Sequence, residues 1–209
     1  MNTPRNLAAL VALALGAPAL ALAQSTGPTC DAALRTAAPQ VRLTTSLGAI
    51  VLELNKDKAP ISTENFVKYV DSGQYNGTVF HRVIDSFMIQ GGGLGKDMRE
   101  KPTRSPIKNE SSNGLKNEAY TISMARKPDP DSATAQFFIN SQANESLDFR
   151  GPGTGYAVFG KVIAGKEVVD KIRKVPVART QYSEATPLEP VVLEKAECIA
   201  PAAPAAAPK

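Results

Sequence analysis

Histidine occurs once in the 209-residue chain, at His81, and cysteine twice, at Cys30 and Cys198. So sparse a supply excludes a zinc or iron centre built from clustered His and Cys, leaving only a purely carboxylate metal site open. A serine or cysteine hydrolase would have to take its base from His81, and no GxSxG elbow is present to raise a nucleophile. GxxxxGK[ST] is also missing. Gly91-Gly92-Gly93-Leu94-Gly95 neither completes GxGxxG nor leads into a helix, so this run reads as a bend or a close backbone approach rather than a phosphate cradle. Asp129 and Asp131 lie in a Pro-rich turn and read as solvated acids. A net charge of +4 is too mild for a nucleic-acid surface. Neither a cofactor, a metal nor a nucleic-acid partner is therefore expected.

The first residues place Arg5 before an apolar run ending in Ala21-Leu22-Ala23, the pattern of a secretory signal peptide cut after Ala23. A transmembrane anchor is the alternative. The run from Leu7 to Ala23 is short for the ~20 residues of a span and is broken by Gly16 and Pro18, so no membrane association is expected after cleavage. Cys30 follows Gly27-Pro28-Thr29 and not a Leu-rich lipobox, which disfavours a lipoprotein. Cleavage removes one of the 24 basic side chains, Arg5, and none of the 20 acidic ones, leaving a net charge of about +3. An exported protein matures where disulfides persist, so Cys30 and Cys198 are expected to pair, with two free thiols as the alternative.

Residues 24–40 are small and polar and read as an extension, and the Ala/Pro-rich tail of residues 200–209 has nothing to bury. The domain is expected over 41–199. It holds eight short runs rich in β-branched or aromatic residues: VRLTT, AIVLEL, TVFHRVI, FMIQGG, YTISMA, QFFINS, VFGKVI and PVVLEKAECI. Eight strands suggest a closed antiparallel barrel. The clearest alternation puts Ile50, Leu52 and Leu54 on one face and Glu53 on the other. Two segments carry a helical period. In ISTENFVKYVDSG, Ser62 or Thr63 can cap and Phe66, Val67 and Val70 form the apolar face; in GKEVVDKIRKVP that face is Val168, Val169 and Ile172. The polar stretch from Leu94 to Ala119 has neither period and reads as a surface insertion of the kind that often flanks a site. The fold class expected is mainly β, an eight-stranded barrel capped by two helices.

In FHRVIDSFMIQGGG an arginine stands among large apolar residues. Strand alternation would put Phe80, Arg82 and Ile84 on one face and His81 and Val83 on the other. His81 alone reads as a packed residue. Arg82, by composition, reads as a solvated or ion-paired strand residue.

These residues resemble the signature of the cyclophilins, a family of peptidyl-prolyl cis-trans isomerases. YTISMAR, SATAQFFIN, Leu147-Asp148 and YAVFGKV follow in that family's order, so the similarity extends from about Val41 to Val192. The resemblance implies an eight-stranded barrel with two helices and a catalytic arginine at Arg82 supported by Gln90. It implies a proline pocket of Phe87, Met88, Phe138 and Leu147, with peptide contacts from Ala125, Arg126 and Gln136. Tyr156 stands where eukaryotic relatives carry a pocket histidine and would line the pocket edge. Ser146 replaces a tryptophan of those relatives, implying weak binding of cyclosporin. The implied partners are proline-containing unfolded or partly folded polypeptides, met by a monomer in the periplasm of a Gram-negative bacterium. A module that binds proline-containing segments without turnover is the competing class, which Arg82→Ala would separate from an isomerase.

Overall fold

The computed structural model describes residues 30–200. The expected leader at 1–23 and the tail from Pro201 lie outside the described residues. Each of the eight runs forms strand, in chain order β1 (Gln40–Thr45), β2 (Gly48–Leu54), β3 (Thr78–Val79), β4 (Arg82–Ile84), β5 (Met88–Gly91), β6 (Thr121–Met124), β7 (Phe137–Asn140) and β8 (Val158–Ala164), with β11 (Val192–Ile199) last. Between them β9 (Val177–Ala178) and β10 (Thr186–Pro187) make a separate two-stranded ribbon. Among the described residues three helices, α1 (Cys30–Ala33), α2 (Pro60–Asp71) and α3 (Lys166–Arg173), complete the framework. Among the described residues no helix is long and apolar enough to cross a membrane.

Nine strands form one antiparallel sheet in the order β3-β11-β1-β2-β8-β6-β7-β5-β4. Its two edge strands, β3 and β4, are separated in the chain by Phe80 and His81 alone. The sheet must therefore curl until its edges meet, and the seam is a covalent stretch of backbone rather than a ladder. The mainly β, barrel-like class expected is found, and it differs in detail from a closed eight-stranded barrel: TVFHRVI is two strands, not one, and the hydrogen-bonded closure is missing at that point.

The break has a local cause. Val79 pairs with Val192 of β11, and the Phe80 amide still donates to Val191 O (3.0 Å), whereas Arg82 already pairs with Gln90 of β5. Changing partners resets the alternation, so Phe80 and Val83 both enter the core while Arg82 points away from it. The expectation that Phe80 and Arg82 share a face is thus overturned.

Inside the curl, Phe66 of α2 lies against Tyr75, Phe137 and Phe159 with ring centroids 5.0, 5.5 and 5.3 Å apart. Close-packed rings of this kind supply much of the apolar burial that holds a small β domain together. Helix α2 packs against β11 and β8, and α3 against β2, β4 and β5, each through the face expected from its period. The start of α2 differs from expectation. Pro60 opens the helix because its fixed φ suits the first turn, which places Ser62 and Thr63 inside and buried. The free amides are capped from the Leu94 to Ala119 stretch, where Glu110 accepts from Ile61 N (3.0 Å), Ser62 N (2.8 Å) and Ser62 Oγ (2.7 Å). That stretch is pinned rather than loose, as Arg104 N also donates to the Tyr69 hydroxyl at 2.7 Å.

From Cys30 on, the expected extension belongs to the domain. Cys30 and Ala33 are buried in the main core, and Cys30 is bonded to Cys198 of β11 with Cα atoms 5.3 Å apart.

Candidate active site

The register of four strands builds the site. Arg82 pairs with Gln90, Gln90 with Phe138 and Phe138 with Ser123, forming one row across β4, β5, β7 and β6. The next row inward, Val83, Ile89, Ile139 and Ile122, faces the core and is fully buried. Because side chains alternate between faces, the first row must present its groups on the outer side of the curl. Met88, two residues before Gln90, joins them there.

Outside the sheet, four more pieces of chain close round this row. Phe87 comes from the β4–β5 turn, Leu147 from the short 3-10 turn Glu145–Leu147, Ala125 and Arg126 from the segment after β6, and Tyr156 from the approach to β8. Together with Arg82, Met88, Gln90 and Phe138 they line a pocket of about 150 Å³. Its floor is apolar: Met88 and Phe138 are almost fully buried, and the Phe138 and Tyr156 rings meet edge to face at 5.7 Å.

Arg82 forms the polar wall. Its Nη1 lies 3.5 Å from Gln90 Oε1 and its guanidinium carbon 5.7 Å from the Phe87 ring centroid. Gln90 in turn donates through Nε2 to Gln136 Oε1 at 2.9 Å. Gln136 does not line the small pocket; it borders an adjoining hollow shared with His81, Met98, Glu100 and Tyr182. Room for it depends on Gly93, where a Cβ would come within 2.5 Å of the Gln136 side chain. The glycine run is thus the close approach anticipated from the sequence.

Arg126 lines the pocket with its guanidinium already engaged. It lies 4.7 Å above the Tyr156 ring and donates to the carbonyls of Lys127, Pro128, Gly153 and Gly155. Anchored this way, it fixes the Tyr156 wall. His81 is buried, its Nδ1 has no partner among the described residues, and burial lowers its pKa.

Sequence reasoning missed two parts of the site. Glu184 accepts from Arg82 Nε (2.9 Å) and Nη2 (2.6 Å) through one oxygen, and the hydrogen bond from Arg82 holds its carboxyl at about 2. It lies in the polar run ARTQYSEATP, which carries no signal distinguishing it from a solvated loop. Beneath the pocket, Asn144 donates to Phe87 O (2.8 Å) and Asn140 Oδ1 (2.7 Å), while Asn117 donates to Leu147 O (3.1 Å) and accepts from Ser123 and Asn140. This buried amide network satisfies the carbonyls of two pocket residues and holds them in place. Separate asparagines in the sequence give no hint that they meet.

A curled antiparallel sheet bearing an apolar pocket with one arginine wall is built to hold a short apolar ring next to a polar group. The model of the cyclophilin type peptidyl-prolyl cis-trans isomerases matches residues 40–198. The chain is 52% identical over 162 residues to the peptidyl-prolyl cis-trans isomerase cyp18 of Streptomyces antibioticus, covering 76% of this chain and 98% of that one. To peptidyl-prolyl cis-trans isomerase A of Dickeya dadantii it is 52% identical over 164 residues, 78% of this chain and 86% of the relative. A crystal structure of a Cryptosporidium parvum cyclophilin-type isomerase superposes with a TM-score of 0.66 at 26% identity, covering 78% of this chain and 99% of that one. The chain belongs to the cyclophilin-type peptidyl-prolyl cis-trans isomerases. It is an enzyme that interconverts the cis and trans forms of proline-containing polypeptides.

Proposed function

We propose that Arg82 donates a hydrogen bond to the prolyl nitrogen as the bond twists, while Phe87, Met88, Phe138, Leu147 and Tyr156 seat the ring. The planar prolyl amide is held by resonance with a barrier of about 18–20 kcal/mol. As the bond rotates, the nitrogen regains its lone pair and becomes an acceptor, so a donor placed beside it favours the twisted state over either planar one. A charge-assisted hydrogen bond of roughly 1.5–3 kcal/mol accounts for about one to two powers of ten in rate. The remainder comes from the dry pocket, because the planar amide is more polar than the twisted one and loses more on leaving water. Gln90 keeps Nη1 in line, and Ala125 and Gln136 hold the flanking peptide.

The observation that carries this reading is that Arg82 and the apolar residues line the same pocket of about 150 Å³. Exchange spectroscopy on a short Xaa-Pro peptide tests it: Arg82→Ala is expected to lose at least about tenfold in turnover while peptide affinity is largely kept. Full turnover by the variant would remove Arg82 from the mechanism.

The biological setting proposed is the periplasm, where the enzyme assists folding of exported proteins as a monomer. The leader pattern of residues 1–23 supports it, as does a disulfide of the kind that persists in oxidising compartments. Cell fractionation with intact-mass measurement tests it, the expected product beginning at Gln24. Ser146 offers no indole beside Leu147, so cyclosporin is expected to bind weakly, which calorimetry would measure directly.

A further inference from the structure

Arg82 meets two oxygens from opposite sides, Gln90 Oε1 at its Nη1 end and Glu184 Oε1 along its Nε–Nη2 edge. Only Nη1 is shared with the pocket residues, since Met88 Sδ is also 3.9 Å from it. We propose that Glu184 is a positioning residue for the isomerisation, gripping the far edge of the Arg82 guanidinium so that its Nη1 end stays turned toward the pocket. The inference rests on the assignment of Arg82 as donor to the prolyl nitrogen.

Glu184 is itself held. Ser183 Oγ lies 3.5 Å from its second oxygen and accepts from Ala185 N at 3.0 Å. Ala185 O takes the amide of Val83, the neighbour of Arg82, at 2.9 Å, so the segment bearing the carboxylate is sewn to the strand bearing the guanidinium. The ribbon residues tighten the loop further: Thr180 N donates to Ser183 O (2.9 Å), and the Thr180 and Thr186 hydroxyls meet at 2.8 Å. A rigid acceptor matters because an arginine has a long flexible stem, and each rotamer that swings Nη1 away from the pocket is unproductive. Holding the Nε–Nη2 edge removes those rotamers and leaves the reacting end free.

As an ion pair the contact stabilises the fold little, for Glu184 is 43% exposed and Arg82 29%. Position and stability can therefore be separated experimentally. In exchange spectroscopy with a short Xaa-Pro peptide, Glu184→Ala is expected to lower kcat roughly tenfold, about 1.4 kcal/mol of transition-state stabilisation, with KM and thermal unfolding nearly unchanged. Glu184→Gln, which keeps an oxygen acceptor without the charge, is expected to stay within about threefold of the parent. In an Arg82→Ala background the Glu184→Ala change should have no further effect, because the residue acts through the arginine.

A normal kcat for Glu184→Ala beside a crippled Arg82→Ala would overturn the positioning role and leave the arginine assignment standing. An equal loss in both backgrounds would likewise overturn it, showing an effect not transmitted by Arg82. If Arg82→Ala itself keeps full turnover, both assignments fall together.

Discussion

Ser62 and Glu110, 48 residues apart, are joined by two hydrogen bonds to a single carboxylate oxygen, from the Ser62 amide and its hydroxyl. Helix α2 thus receives its cap from a distant loop, because Pro60 moved the helix start ahead of its own serine and threonine. Glu110→Ala is expected to cost about 1 kcal/mol, the usual worth of an N-cap, with turnover preserved. Urea unfolding monitored by circular dichroism measures the first, and a peptide isomerisation assay the second.

Phe138 lies at the floor of the pocket between Gln90 and Ser123 in register. Seating an apolar ring against it is worth about 1.5–3 kcal/mol on burial, so Phe138→Ala is expected to weaken peptide binding by about tenfold or more. Titration of a proline-containing peptide into the variant checks this. Unchanged affinity would place the ring elsewhere.

The Glu184 carboxyl, at about 2 against an ordinary 4.5, is a depressed acid. Its pairing with Arg82 contributes fully above the unfolded value and is lost only as pH falls through the folded one. Turnover is therefore expected to show no loss through this pair from about pH 7 down to about pH 4. A kcat profile across that range checks it, and a step near the ordinary carboxyl value that Glu184→Gln abolishes would contradict it.

Cys30 and Cys198 close a loop with a sequence separation of 168. On chain entropy alone a loop of that length contributes up to about 5 kcal/mol, so a Cys30→Ser, Cys198→Ser double variant is expected to unfold at clearly lower temperature with its pocket intact. Calorimetry measures the shift. Thiol titration of the unfolded, unreduced parent is expected to find no free sulfhydryl.

Local periodicity by itself determined a good deal about this protein. Ile50, Leu52 and Leu54 alternate inward, Val168, Val169 and Ile172 form the buried face of α3, and seven of the eight β-rich runs each form a single strand, because those patterns are written within one element. The cyclophilin-like motifs around FHRVIDSFMIQGGG also pointed to residues that line one pocket. Tertiary structure alone decided the rest. Phe80 turned inward because its strand changes partners after Val79, a choice made by β11 and β5 and not by the stretch itself. Glu110 became a helix cap, and the scattered asparagines Asn117, Asn140 and Asn144 became one network. Glu184 met Arg82 across 102 residues. Such pairs are set by how the sheet curls and where loops return, and contacts at that separation leave no period in the sequence from which they can be read.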